Sequence, residues 1–364
     1  MSENTKTSGK PDTALLRTLG WNEEQEAAFS RYAGPYRAGR VISRHRTAFD
    51  VLGAGGSLRV GLSGALRRLG RIPAVGDYVV LLDRPESGSC LIVDILPRRS
   101  RFFRGAPGEG GEEQVIAANI DTVFIMTAAG GDFNLRRIER YLAIVHAAGA
   151  RPVILVNKSD LAADPAALTA QVAAIAGETP VVSLSALRGE GLAALGRFLQ
   201  PAETVAIVGS SGVGKSTLIN ALMETPVQET KGIREDDDRG RHTTTVRQLF
   251  LLPNGAMVID NPGLREIQLG NAIDGIAETF ADIHRLAAGC RYADCRHEHE
   301  PGCAVRDAVS EGRLDAKRLE SYLRLSRELA FQAEKADIGL KGIEKKRYKG
   351  IALAARQLRK DRDW

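Results

Sequence analysis

The sequence predicts a multidomain α/β protein with an N-terminal OB-type β-barrel, a central α/β sheet domain, and a C-terminal Cys/His knuckle with helices. Three observations predict this. Five short β-branched runs fall between residues 37 and 104. Three nucleotide-binding signatures follow in an unusual order. Then three of the four cysteines gather round one histidine.

A chain of 364 residues can hold two or three domains and bury a full core. It contains no run of eighteen apolar residues, so no membrane span is expected. The first twenty residues are polar, lack a signal-peptide core and read as a mobile tail. They belong to an extension, residues 1–36, with no assigned role. Few cysteines, grouped at ligand spacing, point to a reducing cytosol rather than a disulfide framework.

The net charge of +5 conceals a segregation. Residues 37–104 carry 13 arginines against 5 acids, a net +8. Residues 105–312 carry 18 basic and 27 acidic side chains, a net −9. Residues 313–364 carry 15 basic and 8 acidic, a net +7. Two basic modules flanking an acidic core suggest contact with nucleic acid, because Lys and Arg neutralise phosphates and release counterions.

In the first module the strand candidates are residues 39–43, 48–52, 58–62, 77–81 and 90–94. Turn residues separate them, including Gly53-Ala54-Gly55-Gly56. Five strands in so short a stretch suggest a single-strand RNA platform of the OB type. Cys90 reads as a core strand residue.

The central domain, residues 105–274, carries the nucleotide chemistry. Residues 151–156 form an apolar strand that delivers Asn157-Lys158-Ser159-Asp160 at its C-terminal end, where open α/β sheets bind ligands. The Asp160 carboxylate suits the N1–H and N2–H₂ donors of guanine, a pair adenine lacks. Asn157 is placed to contact the other base edge, and the Lys158 stem to pack on the ring. A second strand, residues 180–184, ends in Ser185-Ala186-Leu187, which resembles the Ser-Ala element that GTPases set beside the guanine O6.

Gly209-Ser210-Ser211-Gly212-Val213-Gly214-Lys215-Ser216 fits G-x-x-x-x-G-K-[ST] between a strand, residues 204–208, and a helix, residues 215–223. Its glycines let backbone N–H groups face a phosphate chain at a helix N-terminus. Lys215 is expected to meet the β- and γ-phosphates, and Ser216, with Thr217 beside it, to lie at the Mg²⁺. A third strand, residues 256–259, leads to Asp260-Asn261-Pro262-Gly263. Asp260 is expected to act on Mg²⁺ indirectly, through a bound water, and the Gly263 N–H is the expected γ-phosphate sensor. Base reader, phosphate loop and Asp-x-x-Gly thus run in circularly permuted order.

Between loop and switch, residues 229–245 are polar and lack apolar periodicity, which inside a domain usually marks function or disorder. One of Thr243, Thr244 and Thr245 is expected to complete the Mg²⁺ shell. Leu264 stands where many GTPases carry a water-orienting Gln, so intrinsic hydrolysis is expected to be slow. His242 is the nearest alternative catalytic group in sequence, and an exposed loop histidine reads equally well.

The C-terminal region, residues 275–364, opens with one expected helix, residues 275–288. Cys290, Cys295, His297 and Cys303 then make a closed Cys₃His set suited to one structural zinc, with His299 as an alternative ligand. A helix from Leu314 onward shows an apolar face of Leu319, Tyr322, Leu323, Leu325 and Leu329. It is followed by the basic run Lys345-Lys346-Arg347-Tyr348-Lys349.

Together these parts resemble the RsgA (YjeQ) family of small-ribosomal-subunit-dependent GTPases along nearly the whole chain. The most specific matches are residues 114–121, Gly240-Arg241-His242-Thr243-Thr244-Thr245 and the Cys290/Cys295/His297/Cys303 set. The resemblance implies a cytoplasmic, monomeric factor in late 30S maturation, with GTP hydrolysis stimulated by the subunit. It also implies direct rRNA contact and help in releasing another maturation factor. A scaffold that binds RNA and GTP without meaningful turnover is the alternative, which Leu264 keeps open. A phosphate-loop kinase is disfavoured, because it would not need Asn157 and Asp160.

Overall fold

The computed structural model describes residues 14–84, 86, 88–104, 114–225, 247–260 and 272–334. Five strands form the barrel: β1 (Tyr36–Arg44), β2 (Phe49–Gly53), β3 (Gly56–Leu62), β4 (Tyr78–Arg84) and β5 (Ser89–Ile95). The order β1-β2-β3-β5-β4 closes through a β1–β4 pairing, and only β3 and β5 run parallel. Val41, Val51, Val60, Val79, Leu81 and Ile92 fill the interior, as alternate positions of a closed barrel must. Cys90 is half-buried at its margin. A short helix, α3 (Gly64–Arg68), capped by Ser63, leads on from β3.

The expected mobile tail is corrected in part. Helices α1 (Ala14–Thr18) and α2 (Glu23–Phe29) pack on the barrel base and bury Leu16, Leu19, Trp21 and Phe29. A capping box of Asn22 and Gln25 starts α2. The polar composition of the first residues hid this apolar quartet.

A hairpin, β6 (Arg101–Arg104) with β7 (Gln114–Ala118), leads into the central sheet. Its strands are β8 (Thr122–Ala128), β9 (Arg151–Asn157), β10 (Val181–Ser183), β11 (Thr204–Val208), β12 (Arg247–Leu251) and β13 (Met257–Asp260). They lie in the order β10-β9-β8-β11-β13-β12, all parallel except β12. Successive residues alternate between two cores. Val123 and Ile125 face one side; Phe124 and Met126 face the other. Both faces are therefore covered, as a parallel sheet requires. On one side lie α4 (Leu135–Ala147) and α5 (Pro165–Ala176); on the other, α6 (Lys215–Met223) and the short turn of helix Leu192–Phe198.

β12 also pairs with β1 of the barrel, through Ser43↔Gln248 and Arg44↔Arg247. Barrel and central domain thus share one eleven-stranded sheet. At this junction Arg40 is buried without a carboxylate in contact. Its donors reach the carbonyls of Leu19, Gly76 and Asn119 and the hydroxyl of Thr204. Burial pushes its pKa down, with the Tyr78 ring nearby opposing the shift.

The helix expected over residues 275–288 is two: α7 (Ile273–Thr279) and α8 (Ala281–Ala287). The break falls at Phe280, whose backbone leaves the helical region (φ −112°, ψ 37°) while its ring is fully buried against Tyr322. After the knuckle come α9 (Ala304–Ser310) and α10 (residues 316–334). Leu314, Leu319 and Leu325 enter the same core as α4 and α7. Among the described residues no helix is long and apolar enough to cross a membrane.

Candidate functional site

The nucleotide signatures meet at the C-terminal edge of the central sheet. β8 continues outward to β9, whereas β11 connects to the opposite side, so a crevice opens between them at the topological switch point. Gly209–Gly214 line this crevice between β11 and α6. Gly209, Gly212 and Gly214 all have positive φ. A Cβ on Gly209 would meet Met126 O at 2.6 Å, and one on Gly214 would meet Asn157 Nδ2 at 2.3 Å. Only glycine fits these two places. Lys215 Nζ donates to the carbonyls of Gly209 (2.9 Å) and Ser210 (2.5 Å), which holds the ammonium over the loop. Val213 is buried, Ser211 and Gly212 are exposed, and Ser216 and Thr217 are half-buried at the first turn of α6.

Asn157, at the end of β9, is buried and bridges two loops. Its Nδ2 donates to Val213 O (2.8 Å), and its Oδ1 accepts from Ala186 N (3.0 Å). This adds to the expected base contact a bracing role that the motif alone did not reveal. Lys158 takes φ 58°, an uncommon conformation for a side-chain-bearing residue, and this turns the chain into the short helix Ser159–Leu161. Asp160 returns beside Ser185 and Arg188. The Ser185 hydroxyl, then Arg188 and Lys158, hold its carboxyl below the ordinary aspartate range. The ionised form that guanine recognition needs is therefore favoured. Ser185 and Ala186 are both buried.

Asp260 ends β13, beside β11, at the same sheet edge. With Ser216 it offers hard oxygen donors, which suit Mg²⁺. His242, Gly263, Leu264 and the three threonines lie outside the described residues, as does the basic run at 345–349. Sequence reasoning missed Asp132, on the loop after β8. Ser210 Oγ–H donates to its Oδ2, and Arg137 Nη1 donates to its Oδ1 at 2.5 Å. A cavity of about 660 Å³ lies at the opposite, N-terminal edge of the sheet and touches none of the signature residues.

The second candidate centre follows α8. The ligand atoms of Cys290, Cys295, His297 and Cys303 lie within 4.8 Å of one another. Cys290 Sγ is 3.6 Å from His297 Nδ1 and 4.0 Å from Cys303 Sγ, and Nδ1 is 3.4 Å from Cys303 Sγ. A tetrahedron with zinc–ligand bonds of ordinary length has edges of about 3.5–3.8 Å, so the set fits a metal with soft ligands. His299 is exposed and stands outside the set. Glu300 ties the loop by accepting from the backbone N–H groups of Arg296, Glu298 and His299. Backbone donors, its own included, pull its pKa down to about 2.

A family profile described as RsgA GTPase matches residues 95–270. The chain is 59% identical, over 94% of its length and 92% of the relative's, to a small ribosomal subunit biogenesis GTPase RsgA of Methanosarcina acetivorans. The chain belongs to the RsgA GTPase family. An RsgA of Opitutus terrae is 47% identical over 92% of this chain and 95% of its own. Among solved structures, YjeQ from Thermotoga maritima superposes with a TM-score of 0.61 at 26% identity, covering 81% of this chain and 99% of that one. The RsgA architecture here is thus a five-stranded barrel, a permuted GTPase sheet, a Cys₃His cluster and C-terminal helices.

Proposed function

We propose that this chain hydrolyses GTP to GDP and phosphate during maturation of the small ribosomal subunit, slowly alone and faster on the subunit. One observation carries the reading. Phosphate loop, base reader and Ser-Ala element converge on one crevice, in permuted order, in a chain 59% identical to an RsgA along nearly its whole length. In this reading Asp160 selects guanine, the Lys158 stem covers the ring, and Ser185-Ala186 close round O6. The loop N–H groups and Lys215 hold the β- and γ-phosphates, and the Gly263 N–H senses the last of these. Ser216 and one of Thr243–Thr245 would hold Mg²⁺, with Asp260 acting on it through a bound water, and the ion would neutralise charge on the β- and γ-phosphates. His242 serves at the attacking water in place of the Gln that Leu264 displaces. Cys290, Cys295, His297 and Cys303 hold one zinc, which orders a polar loop with little to bury.

The functional units in this reading are the extension at 1–36, the barrel at 37–104, the GTPase domain at 105–274 and the zinc and helical domain at 275–364. Barrel and tail contact rRNA through phosphates. Release of another maturation factor, action as a monomer and a cytoplasmic site complete the proposal.

Phosphate release measured with 30S, 50S and 70S particles tests it. Stimulation by 30S alone is expected. Equal turnover under all conditions removes the subunit dependence. GTP binding with no turnover on any particle would leave an RNA-binding scaffold, and equal competition by ATP would remove guanine selection.

A further inference from the structure

We propose that Asp132 is a positioning residue for the phosphate loop, fixing Ser210 and, through Ser210, the ammonium group of Lys215. The proposal rests on the GTPase reading of the same crevice. Ser210 is held on two sides. Its hydroxyl donates to Asp132 Oδ2, and its carbonyl accepts from Lys215 Nζ at 2.5 Å. Asp132 is itself fixed, because Arg137, in the first turn of α4, donates to Oδ1 at 2.5 Å.

The location explains why such a brace is needed. Three glycines with positive φ leave the loop soft. Asn157 pins its C-terminal half at Val213. Among the described residues, Asp132 is the side chain from another strand's loop that hydrogen-bonds the N-terminal half. It reaches across the crevice between β8 and β11, where the loops after the two strands diverge. A carboxylate so close to nucleotide phosphates would repel them, and the Arg137 guanidinium offsets that charge. The contact is made entirely by protein groups and involves no γ-phosphate, so it positions Lys215 for GDP and GTP alike.

The test is binding of fluorescent GDP and of a non-hydrolysable GTP analogue by the full chain. The variants are Asp132→Ala, Ser210→Ala, their combination and Asp132→Asn. Each alanine variant is expected to weaken both nucleotides by about ten- to a hundredfold, the range for a hydrogen bond to a charged group. The double variant should be no weaker than either single one, because both remove the same link. Asp132→Asn can keep its one oxygen as the acceptor for Arg137 and still link Ser210 by donating an amide N–H to the Ser210 hydroxyl oxygen, so it should bind close to wild type. Such rescue, with closure of the cycle, is not what a general role in loop folding would give. Wild-type affinity in Asp132→Ala overturns the proposal. So do single effects that multiply in the double variant, or Asp132→Asn as weak as Asp132→Ala. If the wild-type chain binds neither nucleotide, the GTPase reading falls and this proposal with it. If it binds both and the variants match it, only the role of Asp132 falls.

Discussion

One buried amide ties two nucleotide loops together. Asn157 is 2% exposed, and both ends of its side chain are spent on backbone partners, Val213 O and Ala186 N. An alanine there leaves two buried polar groups unpaired, at about 1–3 kcal/mol each. Asn157→Ala is thus expected to lower stability without nucleotide present, visible as a lower denaturant midpoint. A residue that served only the base would not move that midpoint. Asp160 is the contrasting case. Its carboxylate has side-chain partners in Ser185 and Arg188, yet its chemistry points at the ligand. Asp160→Asn replaces an acceptor with an amide that presents a donor to a donor face. The expected cost is about 2–3 kcal/mol in guanine nucleotide binding, with a smaller loss of stability in the free protein, since the amide oxygen still accepts from Ser185 while the Arg188 attraction is lost. Titration of GDP by calorimetry separates the two variants, and an unaltered affinity in Asp160→Asn would show that it does not read the base.

At the scale of elements, α4 is the member on which the C-terminal region is fastened. Arg136 pairs with Asp315, Arg140 grips Glu328 at 2.5 and 2.8 Å, and buried Glu139 accepts from Arg318 at 3.0 Å. Arg318 also chelates Asp282 of α8 and lies over the Phe280 ring. Burial opposes the charge on Asp282, but these hydrogen bonds hold its pKa below the ordinary range. Without Arg318, Glu139 keeps Arg136 as a partner at 2.6 Å and Asp282 is partly exposed, so the expected cost is that of lost hydrogen bonds to charged groups, about 1.5–3 kcal/mol. Arg318→Met should lose that much in urea denaturation. A loss under 1 kcal/mol, the size of a surface pair, would deny Arg318 this role. The knuckle beside it should carry one zinc per chain by elemental analysis, lost in Cys290→Ser or Cys303→Ser, while Lys215-dependent GTP binding persists. Much of this was legible in sequence. Each barrel strand carried its own period, the glycine loop its own spacing and the knuckle its own ligands. Arg40, Arg318 and Asp132 carried no such signal. Their partners lie far away in sequence, at Thr204, Glu139 and Ser210, so nothing local distinguishes them from surface charge. The N-terminal quartet Leu16, Leu19, Trp21 and Phe29 was legible as a capping box with apolar flanks. It was obscured by reading the polar residues before it as typical of the whole extension.

For the molecule as a whole, the permutation places the barrel and the C-terminal region at opposite ends of the switch segments. β12, which emerges from the segment after α6, is hydrogen-bonded on one side to β13, ending at Asp260, and on the other to β1 of the barrel. A change at the γ-phosphate position that shifts β12 must therefore be felt by the basic barrel, while α7 and α8 carry the chain on to the knuckle. The shared core limits how this can be tested. Leu314, Leu319 and Leu325 pack with α4 and α7, so deleting residues 286–364 would strip the GTPase core as well as the proposed RNA contacts. Deleting residues 335–364 is cleaner, since it removes the basic run Lys345-Lys346-Arg347-Tyr348-Lys349 and leaves α10 in place. Affinity for the small subunit should then fall, and its dependence on salt should flatten, because fewer phosphates are neutralised. Coupling makes a separate demand. If docking favours the GTP state, GTP must favour docking by the same factor, about 5–150-fold for typical coupling energies. The full chain is therefore expected to bind 30S particles more tightly with a non-hydrolysable GTP analogue than with GDP, by sedimentation at fixed salt. The tail deletion should lower both affinities while keeping their ratio, since the path through β12 and β1 is intact. A ratio of one in the full chain would show that the switch does not reach the surfaces proposed to bind RNA. A ratio that vanishes only with the tail would place the coupling in the C-terminal region instead of the barrel.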